Sequence, residues 1–98
     1  MPELHNKTFV PIILRYYLID NVQQDIEMPA GSTVLSIGYY NEQLALFALV
    51  PNPYTNDKKT VSVIMARPSF ELPQDIKQHK FLDFIDHDSA RLHVFIKE

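Results

Sequence analysis

Apolar and polar positions alternate in short bursts along the chain, and residues with turn preferences separate the bursts. Short runs rich in β-branched and aromatic residues, bounded by Gly, Pro, Asn and Asp, are typical of β-strands. Seven such runs predict strands over residues 12–18, 22–28, 33–40, 43–50, 60–66, 81–85 and 92–96. The spacing of the turns predicts an all-β domain, either a small antiparallel sandwich or a partly open barrel.

The fourth run is apolar at consecutive positions rather than at alternate ones. Leu44 and Leu46 share one face of a strand, and Phe47 and Leu49 lie on the other. A strand that is apolar on both faces is usually buried on both, so we predict that residues 43–50 form the central strand. A helix is the alternative for this run, and its shortness favours the strand.

Two connections are longer than a tight turn. Residues 51–59 contain two prolines, two asparagines and an aspartate, which predicts a loop. Residues 67–73 form the second connection, and residues 73–80, which begin with a proline, predict one short helical turn. Residues 87–89 predict the turn of a terminal hairpin.

Length and composition limit the classes of protein that remain. Ninety-eight residues make one domain, residues 1–98. Nine Lys and Arg against twelve Asp and Glu give a net charge of −3, and a nucleic-acid-binding domain usually carries a basic surface. The N-terminal residues lack the pattern of a signal peptide, and no apolar stretch is long enough to span a bilayer. We therefore expect a soluble cytoplasmic protein that binds neither nucleic acid nor membrane.

The residues that usually carry chemistry form no recognisable constellation. There are no cysteines, and two glycines are too few for a phosphate-binding loop. The histidines and aspartates near residues 83–93 match no metal-ligand signature, and no serine lies in a nucleophile elbow. We expect no catalytic residues, no metal and no cofactor, and hence a protein that is not an enzyme.

The two long connections are the best places for a binding site, because binding residues concentrate on loops held by a rigid scaffold. Tyr54 lies on the first connection, and Arg67 and Phe70 lie on the second. Tyrosine and arginine are enriched among the residues that dominate binding at protein interfaces. We therefore predict that Tyr54, Arg67 and Phe70 contact a partner.

Three segments in this order resemble a known family. They are residues 26–36 (IEMPAGSTVLS), residues 44–51 (LALFALVP) and residues 92–95 (LHVF). Their order resembles a domain family of unknown function that is common in tailed-phage and prophage genomes, from residue 16 to the end of the chain. The chain differs from it at residues 66–68, where relatives carry a glycine-rich stretch. The resemblance implies an accessory protein of phage or prophage origin, made in the cytoplasm of the bacterial host.

Three functions follow as expectations, and homo-oligomerisation is open in all of them. The first is a non-enzymatic protein that binds and occludes a protein partner, such as a host enzyme or an antiphage-defence component. The second is an oligomeric small-molecule binder for a nucleotide-type signal, with Arg15, Arg67 and Arg91 as the cations. The third is a structural component of an assembly, with strand edges paired between subunits.

Overall fold

The strands form two antiparallel sheets in a computed structural model that describes residues 10–52 and 56–98. In chain order they are β1 (Ile12–Tyr17), β2 (Gln23–Pro29), β3 (Thr33–Tyr40), β4 (Gln43–Val50), β5 (Lys58–Ala66), β6 (Lys80–His87) and β7 (Ala90–Lys97). A short 3-10 helix (Gln74–Gln78) lies between β5 and β6, where the helical turn was predicted. The first sheet has the order β1-β4-β3, and the second has the order β2-β5-β7-β6. The predicted all-β fold of seven strands is confirmed.

The facing sides of the two sheets enclose one apolar core. Its fully buried side chains come from both sheets and include Leu46 and Val50 of β4, Val61 and Val63 of β5, and Leu92 of β7. Burial of this apolar surface is the main force that holds the sheets together.

β4 is the middle strand of the first sheet, as its apolar sequence predicted. Its second face is covered only in part. Ala45 is buried on that face and Phe47 is half-buried, but Leu49 is 37% exposed. The expectation of full burial on both faces is therefore wrong at Leu49, because no further layer covers this side of the sheet among the described residues.

Two tight hairpins connect sequential strands. Asn41 and Glu42 join β3 to β4, and Asp88 and Ser89 join β6 to β7. Their φ angles are 50° and 64° in both turns. Positive φ at both central residues defines the type I′ turn, whose twist matches that of the flanking strands, and Asn and Asp tolerate this conformation better than most residues.

β5 begins two residues earlier than the sequence predicted. Lys58 and Lys59 were expected in the loop, but they pair with Pro29 and Met28 of β2. The ammonium group of Lys59 donates to the carbonyl of Ser32 and forms an ion pair with the side-chain carboxylate of Glu98. Pairing with β2 therefore overrides the weak strand preference of the two lysines.

β5 and β6 both run antiparallel to β7, so they are parallel to each other and the chain must cross the sheet between them. The crossing segment, residues 67–79, passes over the outer face of the second sheet. Ile64 points to this face and is fully buried, and Ala66 is almost fully buried. The segment thus supplies a partial third layer, and the candidate site is built on it.

One corner of the sandwich is closed by a tyrosine. The hydroxyl of Tyr39, at the end of β3, donates to the carbonyl of Asp86 at 2.8 Å and lies 2.7 Å from Nδ1 of His87 on β6. Burial raises the pKa of Tyr39 above 10.0, and the nearby carboxylates of Asp88 and Asp86 raise it further. Among the described residues, the outer edges of β1 and β2 have no strand partner, so this part of the sandwich is open on that side.

Candidate functional site

Two of the three residues predicted to bind a partner, Arg67 and Phe70, lie in the turn that follows β5. The N–H of Phe70 donates to the carbonyl of Arg67 at 3.3 Å. Pro68 occupies the second position of the turn, and Ser69 has a φ of 70° where a type II turn usually has glycine. This turn leaves the ring of Phe70 67% exposed. The third predicted residue, Tyr54, lies outside the described residues.

A cavity of about 370 Å³ opens beside this turn, at one end of the sandwich. Its lining includes Arg67, Phe70 and Glu71 from the crossing segment, Asp20 from the β1–β2 connection, and Leu92 from the core. The Nη2 atom of Arg67 lies 3.8 Å from Oδ1 of Asp20. Arg67 therefore faces a carboxylate of the same chain, and the cavity carries both signs of charge.

Four aromatic rings follow one another on the outer face of β6 and β7. Phe81 packs edge to face against Phe95, with 5.5 Å between ring centroids. His93 lies 6.1 Å from Phe81 and 6.1 Å from Phe84. Phe81 and Phe84 are still 52% and 47% exposed. The row therefore leaves aromatic surface exposed.

A β-bulge explains why Phe81 and Phe84 share a face. Residues three apart in a regular strand point to opposite faces. The register shifts between Phe81 and Asp83, so that Phe81 pairs with Phe95 and Phe84 pairs with His93. A bulge adds one residue to a strand and re-aims the side chains beyond it. Simple alternation in the sequence could not reveal this row, because nothing local marks the bulge.

The row of rings continues to the predicted turn. A second cavity, of about 310 Å³, lies between them and is lined by Arg67, Phe70, Leu72, His93 and Phe95, among others. We call the surface formed by Phe70, Phe81, Phe84, His93 and Phe95 the aromatic surface. It combines one residue that the sequence predicted with four that only the folded chain brings beside it.

Arg91 and Asp86 border the aromatic surface. Nε of Arg91 donates to Oδ1 of Asp86 at 3.0 Å, and the guanidinium carbon lies 4.5 Å from the ring centroid of Phe84. The hydrogen bond and charge of Arg91 lower the pKa of Asp86 below its ordinary value of 3.8. Both groups are well exposed, so the pair contributes little to stability but fixes a cation over the ring.

The substitution Arg91→Gln is expected to raise the pKa of Asp86 towards 3.8, because the substitution removes both the charge and the charge-assisted hydrogen bond. A depressed folded-state pKa stabilises the fold above the ordinary pKa, and that contribution is lost as the pH falls through the folded value. Carbon-13 NMR titration of the Asp86 carboxyl measures the shift. Arg15→Gln, on the other sheet, should leave the titration unchanged, and an equal shift in both variants would contradict the assignment.

A partly buried polar cluster fastens the crossing segment to the sheet. His79, 8% exposed, has Nδ1 at 2.9 Å from the carbonyl of Asp75 and Nε2 at 2.9 Å from Oγ of Ser62. A carbonyl only accepts, so Nδ1 carries a proton, and in the neutral imidazole Nε2 then accepts from the hydroxyl of Ser62. Gln23 donates to Ser62 at 3.2 Å and to the Asp75 carboxylate at 3.1 Å. The imidazole is thus oriented by a backbone carbonyl, and the carboxylate is bonded to Gln23.

This cluster joins residues that are far apart in the chain. Ser62 and His79 are 17 positions apart, and Gln23 is 39 positions from Ser62. No spacing in the sequence could indicate the arrangement, because it depends on β2 pairing with β5 and on the path of the crossing segment. The cluster bonds the far end of the crossing segment, which also carries Phe70, to β5.

The three arginines predicted to bind a small molecule lie far apart. Arg15 lies on the outer face of the first sheet, Arg91 on that of the second, and Arg67 beside the cavities at the end of β5. A single copy therefore does not direct all three cations into one pocket. In residues 10–52 and 56–98, no group of three or more His, Cys, Asp or Glu side chains is placed to hold a metal ion.

The fold and site define an all-β sandwich with an exposed aromatic surface on one sheet. Comparisons of the chain with protein-family models, with curated proteins and with solved structures each gave no match. Within the described part of the chain, no helix has the length and apolar character needed to cross a membrane.

Proposed function

We propose that this protein is a non-enzymatic accessory protein of phage or prophage origin that binds and occludes a surface of a protein partner in the bacterial cytoplasm. The phage origin is supported by the resemblance of residues 26–36, 44–51 and 92–95 to a phage family. The binding role is supported by the aromatic surface, and the exposure of Phe70, Phe81 and Phe84 is the observation that carries it.

Large exposed aromatic side chains that adjoin one another are unusual on a surface that only meets water. Isolated apolar residues are common there, whereas contiguous apolar patches mark interaction sites. Phe70 at 67%, Phe81 at 52% and Phe84 at 47% exposure are linked through His93 and Phe95. Aromatic rings contribute large contact area, and they dominate the energetics of many interfaces.

The rim of the aromatic surface is polar, as an interface requires. Arg91 and Asp86 border it beyond Phe84, and Arg67 and Glu71 border it beyond Phe70. An apolar centre with a charged rim is the usual anatomy of a protein interface. The crossing segment is anchored by His79, so part of the surface is preorganised, which lowers the entropic cost of binding.

The test is an affinity capture from a lysate of the bacterial host, with the full-length chain as bait. A partner is expected to be retained by the wild type and lost from the double variant Phe70→Ala/Phe84→Ala. Loss of one such anchor should weaken the binding of a purified partner about 30-fold, and loss of both should weaken it further, measured by isothermal titration calorimetry, since residues of this kind contribute about 2 kcal/mol or more each.

Leu35→Ala is the matched control, because Leu35 is 44% exposed on the other sheet. It should retain the partner with nearly unchanged affinity. A partner lost from the Leu35 variant but kept by the double variant would overturn the proposed surface. Repeated captures that retain nothing, together with light scattering that shows only monomer, would overturn the proposed function.

A further inference from the structure

Two backbone hydrogen bonds show which backbone groups of β1 face its free edge. The N–H of Val10 donates to the carbonyl of Asn52 at 2.8 Å, and the N–H of Leu18 donates to that of Leu44 at 3.0 Å. Both bonds continue the register in which Ile12 faces Val50. Alternate residues of an antiparallel strand bond to the same neighbour. The even-numbered residues of β1 therefore bond to β4, and the odd-numbered ones point their backbone groups away from the sheet.

The odd-numbered residues Ile13, Arg15 and Tyr17 thus present three N–H and three C=O groups along the edge. Within the described residues these groups have no hydrogen-bond partner, because β1 pairs with β4 alone. Five residues of extended strand span about 14 Å. This is long enough to receive a short strand from another molecule.

The two ends of this open stretch are closed. Pro11 has no N–H to offer. Beyond Tyr17, the side-chain amide of Gln24 caps Ile19: the Ile19 N–H donates to Oε1 at 3.0 Å, and Nε2 donates to the Ile19 carbonyl at 2.9 Å. The open edge is therefore limited to residues 13–17.

The other edges are protected. β2 carries exposed Asp25 and Glu27 and ends at Pro29, three features that discourage strand pairing. β3 and β6 lie beside each other and are joined by Tyr39 to Asp86. β1 carries one exposed charge, Arg15, and its proline lies before the strand rather than in it, so β1 is the least protected edge and the one we select for strand addition.

The side chains beside this edge are apolar apart from one cation. On β1, Ile13 is 61% exposed and Tyr17 is 42% exposed; Tyr40, at the end of β3 on the far side of β4, is 39% exposed. Arg15 donates from Nε to the hydroxyl of Tyr17 at 3.2 Å, and its guanidinium carbon lies 4.0 Å above the ring centroid of Tyr40. Among the described residues Arg15 has no carboxylate partner. The guanidinium is therefore held in place with its charge unpaired.

We propose that the β1 edge binds an extended segment of another protein by antiparallel strand addition, with a carboxylate opposite Arg15 and apolar side chains opposite Ile13 and Tyr17. The backbone groups supply the affinity and the side chains supply the selectivity, as in other strand-addition complexes. A carboxylate matches a guanidinium in charge and in hydrogen-bonding geometry. This surface lies on the other sheet from the aromatic surface, and the proposal does not depend on the proposed function.

A second copy of this chain is a poorer occupant of the edge. Full antiparallel overlap of two β1 strands places Arg15 opposite its own symmetry mate, and like charges opposite each other destabilise a strand pair. A displacement by two residues brings Tyr17 opposite Pro11 or Ile13 opposite the capped Ile19. Each displaced register loses one of the three residue pairs.

The test is selection from a library of random seven-residue peptides displayed on a cell surface, with the full-length protein as the probe. The wild type is expected to enrich Asp or Glu at one position with apolar residues two positions to either side. The substitution Arg15→Glu should enrich Lys or Arg at that position and weaken the original acidic peptide about 3- to 30-fold. Arg91→Glu, an exposed arginine also stacked on a ring, should keep the wild-type preference.

Amide hydrogen exchange locates the bound peptide. The selected peptide should slow exchange at Ile13, Arg15 and Tyr17 by at least about tenfold, and leave Leu14 and Tyr16 unchanged because their amides already bond to β4. Four results would overturn the proposal: no enriched pattern, the same pattern with Arg15→Glu, protection at β6 instead of β1, or a dimer whose β1 edge amides are already protected. The variant Phe70→Ala/Phe84→Ala should bind the peptide normally, so failure here is distinguishable from failure of the proposed function.

Discussion

Leu46→Ala is expected to lower the free energy of unfolding by about 2–5 kcal/mol. Leu46 is fully buried in the middle strand of the first sheet, and it lies opposite Tyr16 on one side and Ile37 on the other. Truncation removes apolar contacts and leaves a cavity that the paired neighbours on both sides cannot fill. For a domain of this size the loss is a large share of the total stability. Urea denaturation followed by circular dichroism measures it.

Leu49→Ala is the matched control, since Leu49 is on the same strand but on its outer face and 37% exposed. Its cost is expected to be about 1 kcal/mol or less. The two variants should shift the midpoint without changing the slope of the unfolding curve. Equal losses at both positions would contradict the assignment of Leu49 to an outer face that no further layer covers.

His79→Ala is expected to cost about 1–2 kcal/mol, because it leaves two partly buried polar groups without their partner. The Ser62 hydroxyl loses the acceptor Nε2, and the Asp75 carbonyl loses the donor Nδ1–H. The crossing segment should also detach from the sheet more often, since His79 bonds it to β5. Limited proteolysis is then expected to cut within residues 67–79 faster than in the wild type.

Lys77→Ala controls for changes in the short helix itself, because Lys77 is in the same 3-10 helix and its side chain is exposed. It should change stability by less than about 0.5 kcal/mol and leave the cleavage rate as it is. If His79→Ala matched Lys77→Ala in both measurements, the polar cluster would not be what anchors the segment.

The polar contacts of His79 connect the stability of the fold to the proposed binding role. Phe70 is presented by the crossing segment, whereas Phe81 and Phe84 are presented by β6. Detachment of the segment would therefore separate Phe70 from the rest of the aromatic surface. The rings on β6 and β7 would stay in place. The two sheets also differ in what they offer: a row of rings on one outer face, and an open edge with a single unpaired cation on the other.

Local patterns predicted the elements well where neighbours in the chain decide the structure. Asn41 and Asp88 mark turns because their side chains tolerate positive φ, and the proline before residue 74 marks a helical turn. The apolar run around Leu46 predicted the middle strand because the inner face of β4 is buried in the core and its neighbours partly cover its outer face. Lys58 and Lys59 were misassigned because their strand conformation comes from pairing with β2, about thirty positions away along the chain.

Local sequence was enough to predict the all-β class, the number of strands, the turns between them and the exposed Phe70, since each depends on residues close together in the chain. Only the folded chain shows the grouping of strands into two sheets, the alignment of Phe81 with Phe84, the Ser62–His79 contact and the open edge at Arg15. Each of these depends on register or on a long connection, and a shift of one residue sends every following side chain to the opposite face. The physical reason is that alternation indicates which residues share a face of one strand, whereas strand pairing decides which faces meet.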